Sequence, residues 1–352
     1  MKKGEEKFTQ FTATRLRDWE QAATEELQGA DPWKKLALEK QGLLLKPFYT
    51  PENTSTAPFL LPVSKNHFLG PRAWHNCPLV TVTDVKIANE TALRHLQNGA
   101  DGIYFELAGS PDFEILLQGI EWPHCALNFL AKENEDHVAS GLASFLQKKY
   151  NGKGPTVGAF FGSHPVRPHQ PGFHFAGYSM SAAETPAVQI THAFLAVINS
   201  LKADFPKRSA EVAFSVEIGT DFFLEVVKLR AVRILWEKLV TLQKGKTGTP
   251  VFLHARSHSW NEPAFSPHGN MLKGTTAAMA AILGGCDVLT VDAEQENDDT
   301  LSRVARNVSS ILREESHFSK VADPLGGSYF IESLTEQLVT ETWKALRKEL
   351  NA

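Results

Sequence analysis

The sequence predicts an α/β fold, a (β/α)8 TIM barrel with an N-terminal helical and extended arm, and three observations carry that expectation. Eight short β-rich runs recur from residue 79 onward. Helical patterns lie between most of them, the beat expected of barrel units. No Gly-x-Gly-x-x-Gly follows the first run, which favours a closed barrel over a doubly wound open sheet.

Along the chain, residues 14–28 read as an amphipathic helix, with Leu16, Trp19, Ala22, Ala23 and Leu27 on one stripe and Gly29 placed for a C-cap. Asp31-Pro32-Trp33 restarts the chain, and 42–48 reads as a short strand. Residues 49–71 hold Pro51, Pro58, Pro62 and Pro71, the composition of an irregular arm that wraps around its own barrel or a partner subunit. The expected division is therefore an arm over 1–75 and a barrel over 76–352. Strands are expected at 79–85, 102–107, 125–130, 156–160, 173–177, 212–219, 250–257 and 287–292. Helices are expected at 88–98, 136–150, 186–204, 222–243 and 270–283, with a closing helix at 334–350.

Composition bounds the function. The chain has 352 residues, 42% hydrophobic and 22% charged, with a formal charge of -4. That balance gives no reason to expect nucleic acid or an anionic membrane as partner, while leaving room for a local basic patch. Cys77, Cys125 and Cys286 are far apart and odd in number, which argues for a reducing compartment and against disulfides or a zinc knuckle. No apolar run marks a signal peptide or a membrane span, so the expected location is cytoplasmic, or matrix-like after processing.

In a barrel the chemistry sits at the C-terminal ends of the strands. The most polar such end is His254-Ala255-Arg256-Ser257-His258. Two imidazoles and a guanidinium suit an anionic ester; equally, period-two alternation sends them to a mouth where water and backbone satisfy them. Spacing offers no third ligand for a metal. Tyr178 and Ser179 also follow a strand, but Gly177-Tyr178-Ser179-Met180 lacks the second glycine of a nucleophile elbow. The substrate-facing candidates are thus Tyr178, His254, Arg256 and His258. No strand-end Lys suggests Schiff-base chemistry. Asp323-Pro324-Leu325-Gly326-Gly327-Ser328-Tyr329 lacks the Lys and setting of a phosphate loop and reads as a structural turn. Along 222–243 the charges, including Glu225 and Lys228 at i,i+3, read as a solvated outer face.

Several stretches together resemble the adenosylcobalamin-dependent acyl-CoA mutases, methylmalonyl-CoA mutase most of all. They are 219–236, beginning Gly219-Thr220-Asp221-Phe222; 275–285, ending Leu283-Gly284-Gly285; 302–307, Ser302-Arg303-Val304-Ala305-Arg306-Asn307; and 321–329. Leu45-Lys46-Pro47-Phe48-Tyr49-Thr50 is similar to the family's entry arm. The resemblance implies a barrel whose axis holds the pantetheine arm of CoA, followed by a cobalamin-binding domain, with the cofactor supplying the radical chemistry.

Four departures are visible. No Asp-x-His-x-x-Gly cobalt-ligating motif occurs, so no cobalamin-binding domain is expected and the chain is expected to bind no cofactor. Ser179 occupies the position of the family's catalytic His. Trp74-His75-Asn76-Cys77-Pro78 stands where catalytic chains carry an arginine-and-tyrosine substrate motif, and Glu211 stands where they carry a substrate-binding Arg. Together these imply no catalytic residue in this chain, and a role as the small subunit of a heterodimeric methylmalonyl-CoA mutase, an isomerase of methylmalonyl-CoA and succinyl-CoA. Residues 82–107 are also closer to small subunits. Adenosylcobalamin would then sit on the large catalytic subunit. Two alternatives stand beside it: the substrate domain of a split acyl-CoA mutase with cobalamin on a separate chain, and a barrel kept as a sensor of CoA esters. The lining of the barrel axis discriminates, since bulky side chains would fill the space pantetheine needs.

Overall fold

The computed structural model describes residues 15–53, 58–150, 157–166, 168, 173–181, 183–257, 268–295 and 298–351. The chain opens with α1 (Leu16–Glu26) and a single turn α2 (Pro32–Lys35), joined by Trp19 stacking on Phe48 at 5.2 Å and meeting Trp33 at 5.0 Å. An antiparallel hairpin follows, β1 (Leu38–Lys40) with β2 (Leu43–Leu45). Its two-residue turn, Gln41-Gly42, has φ of +51° and +80° at the two positions, the sign pattern of the turn that matches strand twist. The strand expected at 42–48 is therefore one arm of a hairpin that starts earlier.

The barrel is built from β3 (His75–Asn76), β4 (Leu79–Val82), β5 (Gly102–Leu107), β6 (Ala126–Ala131), β7 (Gly158–Gly162), β8 (His174–Met180), β9 (Val212–Glu217), β10 (Phe252–Ser257) and β11 (Val288–Val291). Every pairing is parallel, in the order β3-β11-β10-β9-β8-β7-β6-β5-β4. The two end members are halves of one barrel strand, interrupted at Cys77-Pro78, where proline has no N–H to give to a ladder. The lower half pairs with β11 and the upper half with β5, so the sheet closes on itself as a ring of eight parallel strands. The (β/α)8 expectation holds.

Around the ring run α3 (Val85–Gln97), α4 (Phe113–Leu116), α5 (Glu135–Tyr150), α6 (Pro186–Leu201), α7 (Phe205–Arg208), α8 (Phe222–Leu242), α9 (Gly269–Gly284), α10 (Asp299–Glu314) and α11 (Tyr329–Asn351). The first strand stops at Val82 because Asp84 caps α3, its carboxylate accepting from the N–H groups of Lys86 and Ile87 at 2.9 and 3.0 Å. Asp298 caps α10 in the same way.

Helix α8 corrects the expectation of a solvated charged face. It lies against α9 and α11, and Glu225, Lys228 and Arg230 are all buried. Their charges are matched internally. Lys228 pairs with Glu225 at 2.6 Å and donates to the Glu217 carbonyl at 2.9 Å. Arg230 grips Asp323 at 2.8 and 3.0 Å, Glu332 at 3.0 Å and the Phe59 carbonyl. The Asp323 turn thus anchors the arm and α11 to the middle of α8.

Candidate functional site

Alternation along the strands points every second residue at the barrel axis. Toward the N-terminal ends of the strands, Phe252 stacks on His174 at 4.7 Å, in the same buried cluster as Ala126, Ala213 and Val288. One layer up, the Tyr104 ring stacks on the His254 imidazole at 4.4 Å, with Phe161 at 5.5 Å from it. Tyr104, Phe161 and His254 are 1%, 0% and 0% exposed, so the axis is closed to solvent at this level.

Both nitrogens of His254 are engaged, Nδ1 with Ser215 Oγ at 2.8 Å and Nε2 with Thr290 Oγ1 at 2.9 Å; Thr290 in turn donates to the Cys77 carbonyl. Burial, and then the positive charge of Arg256, lower the His254 pKa to about 3, so the imidazole is neutral. Burial likewise pushes the Tyr104 phenol up to about 12. Neither group moves a proton near neutral pH.

The C-terminal mouth is capped by charge. Arg256 donates from Nε to both oxygens of Asp292 at 3.1 and 3.0 Å and from Nη1 to Glu106 at 3.2 Å. Lys132 reaches the other oxygen of Glu106 at 2.6 Å. Burial works against the Glu106 carboxylate, but Lys132 and Arg256 outweigh it and hold its pKa below the ordinary value. Burial also works against Arg256, yet Asp292 leads the partners that raise its pKa. The Arg256 cation is thus balanced by two carboxylates, with its guanidinium over the Tyr104 ring at 5.7 Å.

The sequence candidates separate in space. His254 and Arg256 share the axis, but as members of its packing and its ionic cap. Tyr178 lies on the other side of the wall. Between β7 and β8 the register slips: between the pairs Ala159–His174 and Phe161–Gly177, Phe160 alone faces the two residues Phe175 and Ala176. Beyond that bulge Tyr178 pairs with Phe214 and packs on the outer core, while Ser179 pairs with Ser215 on the axial side. The Ser179 hydroxyl is buried, with no partner among the described residues. His258 lies outside the described residues. Glu211, just before β9, pairs with Arg208 at 3.1 Å. In the stretch Trp74–Pro78, Trp74 is wholly buried and donates to Ser309 at 2.8 Å, and Cys77 belongs to the axial cluster.

Sequence reasoning missed Tyr104, Phe161, Ser215 and Thr290. Parity would have found three of them, since Tyr104, Ser215 and Thr290 each lie two residues before a strand-end carboxylate: Glu106, Glu217 and Asp292. Among the described residues no group of three or more His, Cys, Asp or Glu could hold a metal ion, and no helix is long and apolar enough to cross a membrane.

Comparison with known proteins places this barrel. Residues 188–349 match the family model described as methylmalonyl-CoA mutase. The methylmalonyl-CoA mutase small subunit of Porphyromonas gingivalis is 28% identical over 97% of this chain and 64% of its own length. The small subunit of Streptomyces virginiae is 34% identical over 49% of this chain and 28% of its own. The Porphyromonas gingivalis large subunit is 31% identical over 49% of this chain and 26% of its own. This chain spans less than two thirds of the length of each. Among solved structures, a Yersinia pestis DHPS aligns at a TM-score of 0.35 and 12% identity over 79% of this chain and 99% of that one. The matched stretch runs from α6 to α11, through the buried Arg230 contacts of α8 and the Asp323 turn, and over it the chain is similar to the methylmalonyl-CoA mutases.

Proposed function

We propose that this chain acts as a non-catalytic small subunit of a methylmalonyl-CoA mutase, supporting a large subunit that carries adenosylcobalamin and interconverts methylmalonyl-CoA and succinyl-CoA. The arm over 1–75 and the barrel over 76–352 form the two parts of this scaffold, and the reading places it in the cytoplasm as half of a heterodimer.

The observation that carries the reading is the filled axis. A pantetheine arm needs a continuous channel, and here Tyr104, Phe161 and His254 occupy the centre under an Arg256–Asp292–Glu106 cap. Opening it would strip aromatic packing and strand three paired charges, so substrate binding cannot readily meet that cost. The residues present also fit a cobalt centre poorly. His254 has both nitrogens bonded, and His164 at the mouth pairs with Glu135 at 3.1 Å. The occurrence of small- and large-subunit relatives in one organism, Porphyromonas gingivalis, supports a two-subunit assembly.

Co-expression with a large mutase subunit tests the reading, with a stable one-to-one complex on size-exclusion chromatography with light scattering as the expected result. Titration of the isolated chain with methylmalonyl-CoA is expected to give no heat. Turnover by this chain on addition of a separate cobalamin-binding protein would overturn the proposal and favour the split-mutase alternative.

A further inference from the structure

The barrel wall parts between its first and last strands. Above Pro78 the first strand pairs only with β5, while β11 continues upward beside it without a ladder. Outside this seam, between α3 and α10, lies a cavity of about 730 Å³. That size falls in the range of small-molecule sites, about 300–1,000 Å³. Its wall has an apolar part that includes Leu79, Ile87 and Ala305.

The wall also holds a cation without a counter-charge. Arg306, 8% exposed, has its Nε buried with no hydrogen-bond partner among the described residues. Its Nη1 meets Nδ1 of His95, at 3.2 Å. Burial, with Arg306 and Arg94 nearby, lowers the His95 pKa to about 4, so this neighbour is a neutral acceptor that brings no negative charge. No carboxylate pairs with Arg306 among the described residues, and Arg303, one turn away, also lines the cavity. A buried cation left in this state is costly unless something neutralises it.

Three of the four acids of the same wall are already engaged: Asp84 accepts from the α3 amides, Asp299 pairs with Arg94 at 2.8 Å, and Asp292 belongs to Arg256. The fourth, Glu294, lies 3.5 Å from His268, and its other oxygen is buried with no partner among the described residues. They leave Arg306 uncompensated, and they disfavour a ligand with a second negative charge.

We propose that this cleft binds a small amphiphilic carboxylate, its head held by Arg306 and Arg303 and its apolar chain laid along Leu79, Ile87 and Ala305. The site lies outside the barrel wall, so the proposal stands or falls independently of the role assigned to the axis.

Isothermal titration of the full chain with sodium octanoate tests it, with octyl phosphate, octyltrimethylammonium and inorganic phosphate as parallel arms. Octanoate is expected to bind at millimolar or lower concentration, ahead of octyl phosphate, with no heat from the cation or from inorganic phosphate. Arg306→Gln should weaken octanoate by about 10- to 100-fold, the worth of a charge-assisted contact. Should that variant fail to fold, Ile87→Trp, on the exposed side of α3, should fill the cleft and abolish binding. No octanoate binding at millimolar concentration would overturn the proposal. So would equal binding of the cation, tighter binding of octyl phosphate, or unchanged affinity in the variants that fold.

Discussion

At the scale of single residues, His254 shows how surroundings reassign a side chain. An imidazole in an unfolded chain titrates near 6.5, whereas burial and then Arg256 lower this one to about 3. Between those values the unfolded chain holds a proton that the folded one refuses. The stabilisation is therefore fully present above pH 6.5 and is lost as pH falls toward 3, by about 1.4 kcal/mol per pH unit. His95, lowered to about 4, adds to the same slope. Urea-unfolding midpoints measured from pH 7 to pH 4 should fall more steeply for the native chain than for His254→Gln. Equal slopes would show that His254 is solvated and that the axis is open. The sequence pointed to His254 and Arg256 as the most polar strand end, and their parity toward the axis was readable. Their partners were not, because Ser215, Thr290, Glu106 and Asp292 lie on three other strands, up to 150 residues away.

At the scale of elements, α8 carries the sharpest test of how the fold is held. Its Arg230 is wholly buried and ties Asp323, Glu332 and the Phe59 carbonyl together, so one side chain joins the arm, the turn and α11. Arg230→Met would leave two carboxylates poorly solvated with no cation, and should cost about 3–5 kcal/mol. Adding Asp323→Asn and Glu332→Gln should recover part of that loss, because the stranded charges then disappear. A loss below about 1 kcal/mol for Arg230→Met, the worth of an exposed pair, would show that water reaches the clasp. Strand and helix periods were legible from apolar spacing, and the ring of eight followed from them. The burial of α8 was not. Charges at helical spacing look the same whether they face water or a second helix, and only the docking of α11 and the arm decides between the two.

At the scale of the whole molecule, closure of the ring is uneven, and the unevenness sits in one strand. The first barrel strand divides at Cys77-Pro78; its lower half keeps a two-residue ladder with β11, while its upper half turns to β5 alone. The remaining strands are bonded on both sides; β9 shares five residue pairs with each neighbour. In a parallel ladder successive N–H groups point to alternate sides. Those of Leu79–Val82 that face β11 consequently have no strand partner, and they open onto the cleft beside α3 and α10. Hydrogen exchange should therefore find the seam-facing amides of Leu79–Val82 exchanging by local opening, about 100-fold or more faster than the amides of β9, which require near-global unfolding. The β5-facing amides of the same strand should remain protected, which separates an open seam from a frayed strand. Uniform protection across the first strand would mean that β11 pairs with its upper half in solution, and that the cleft is closed by a ladder this structure does not contain.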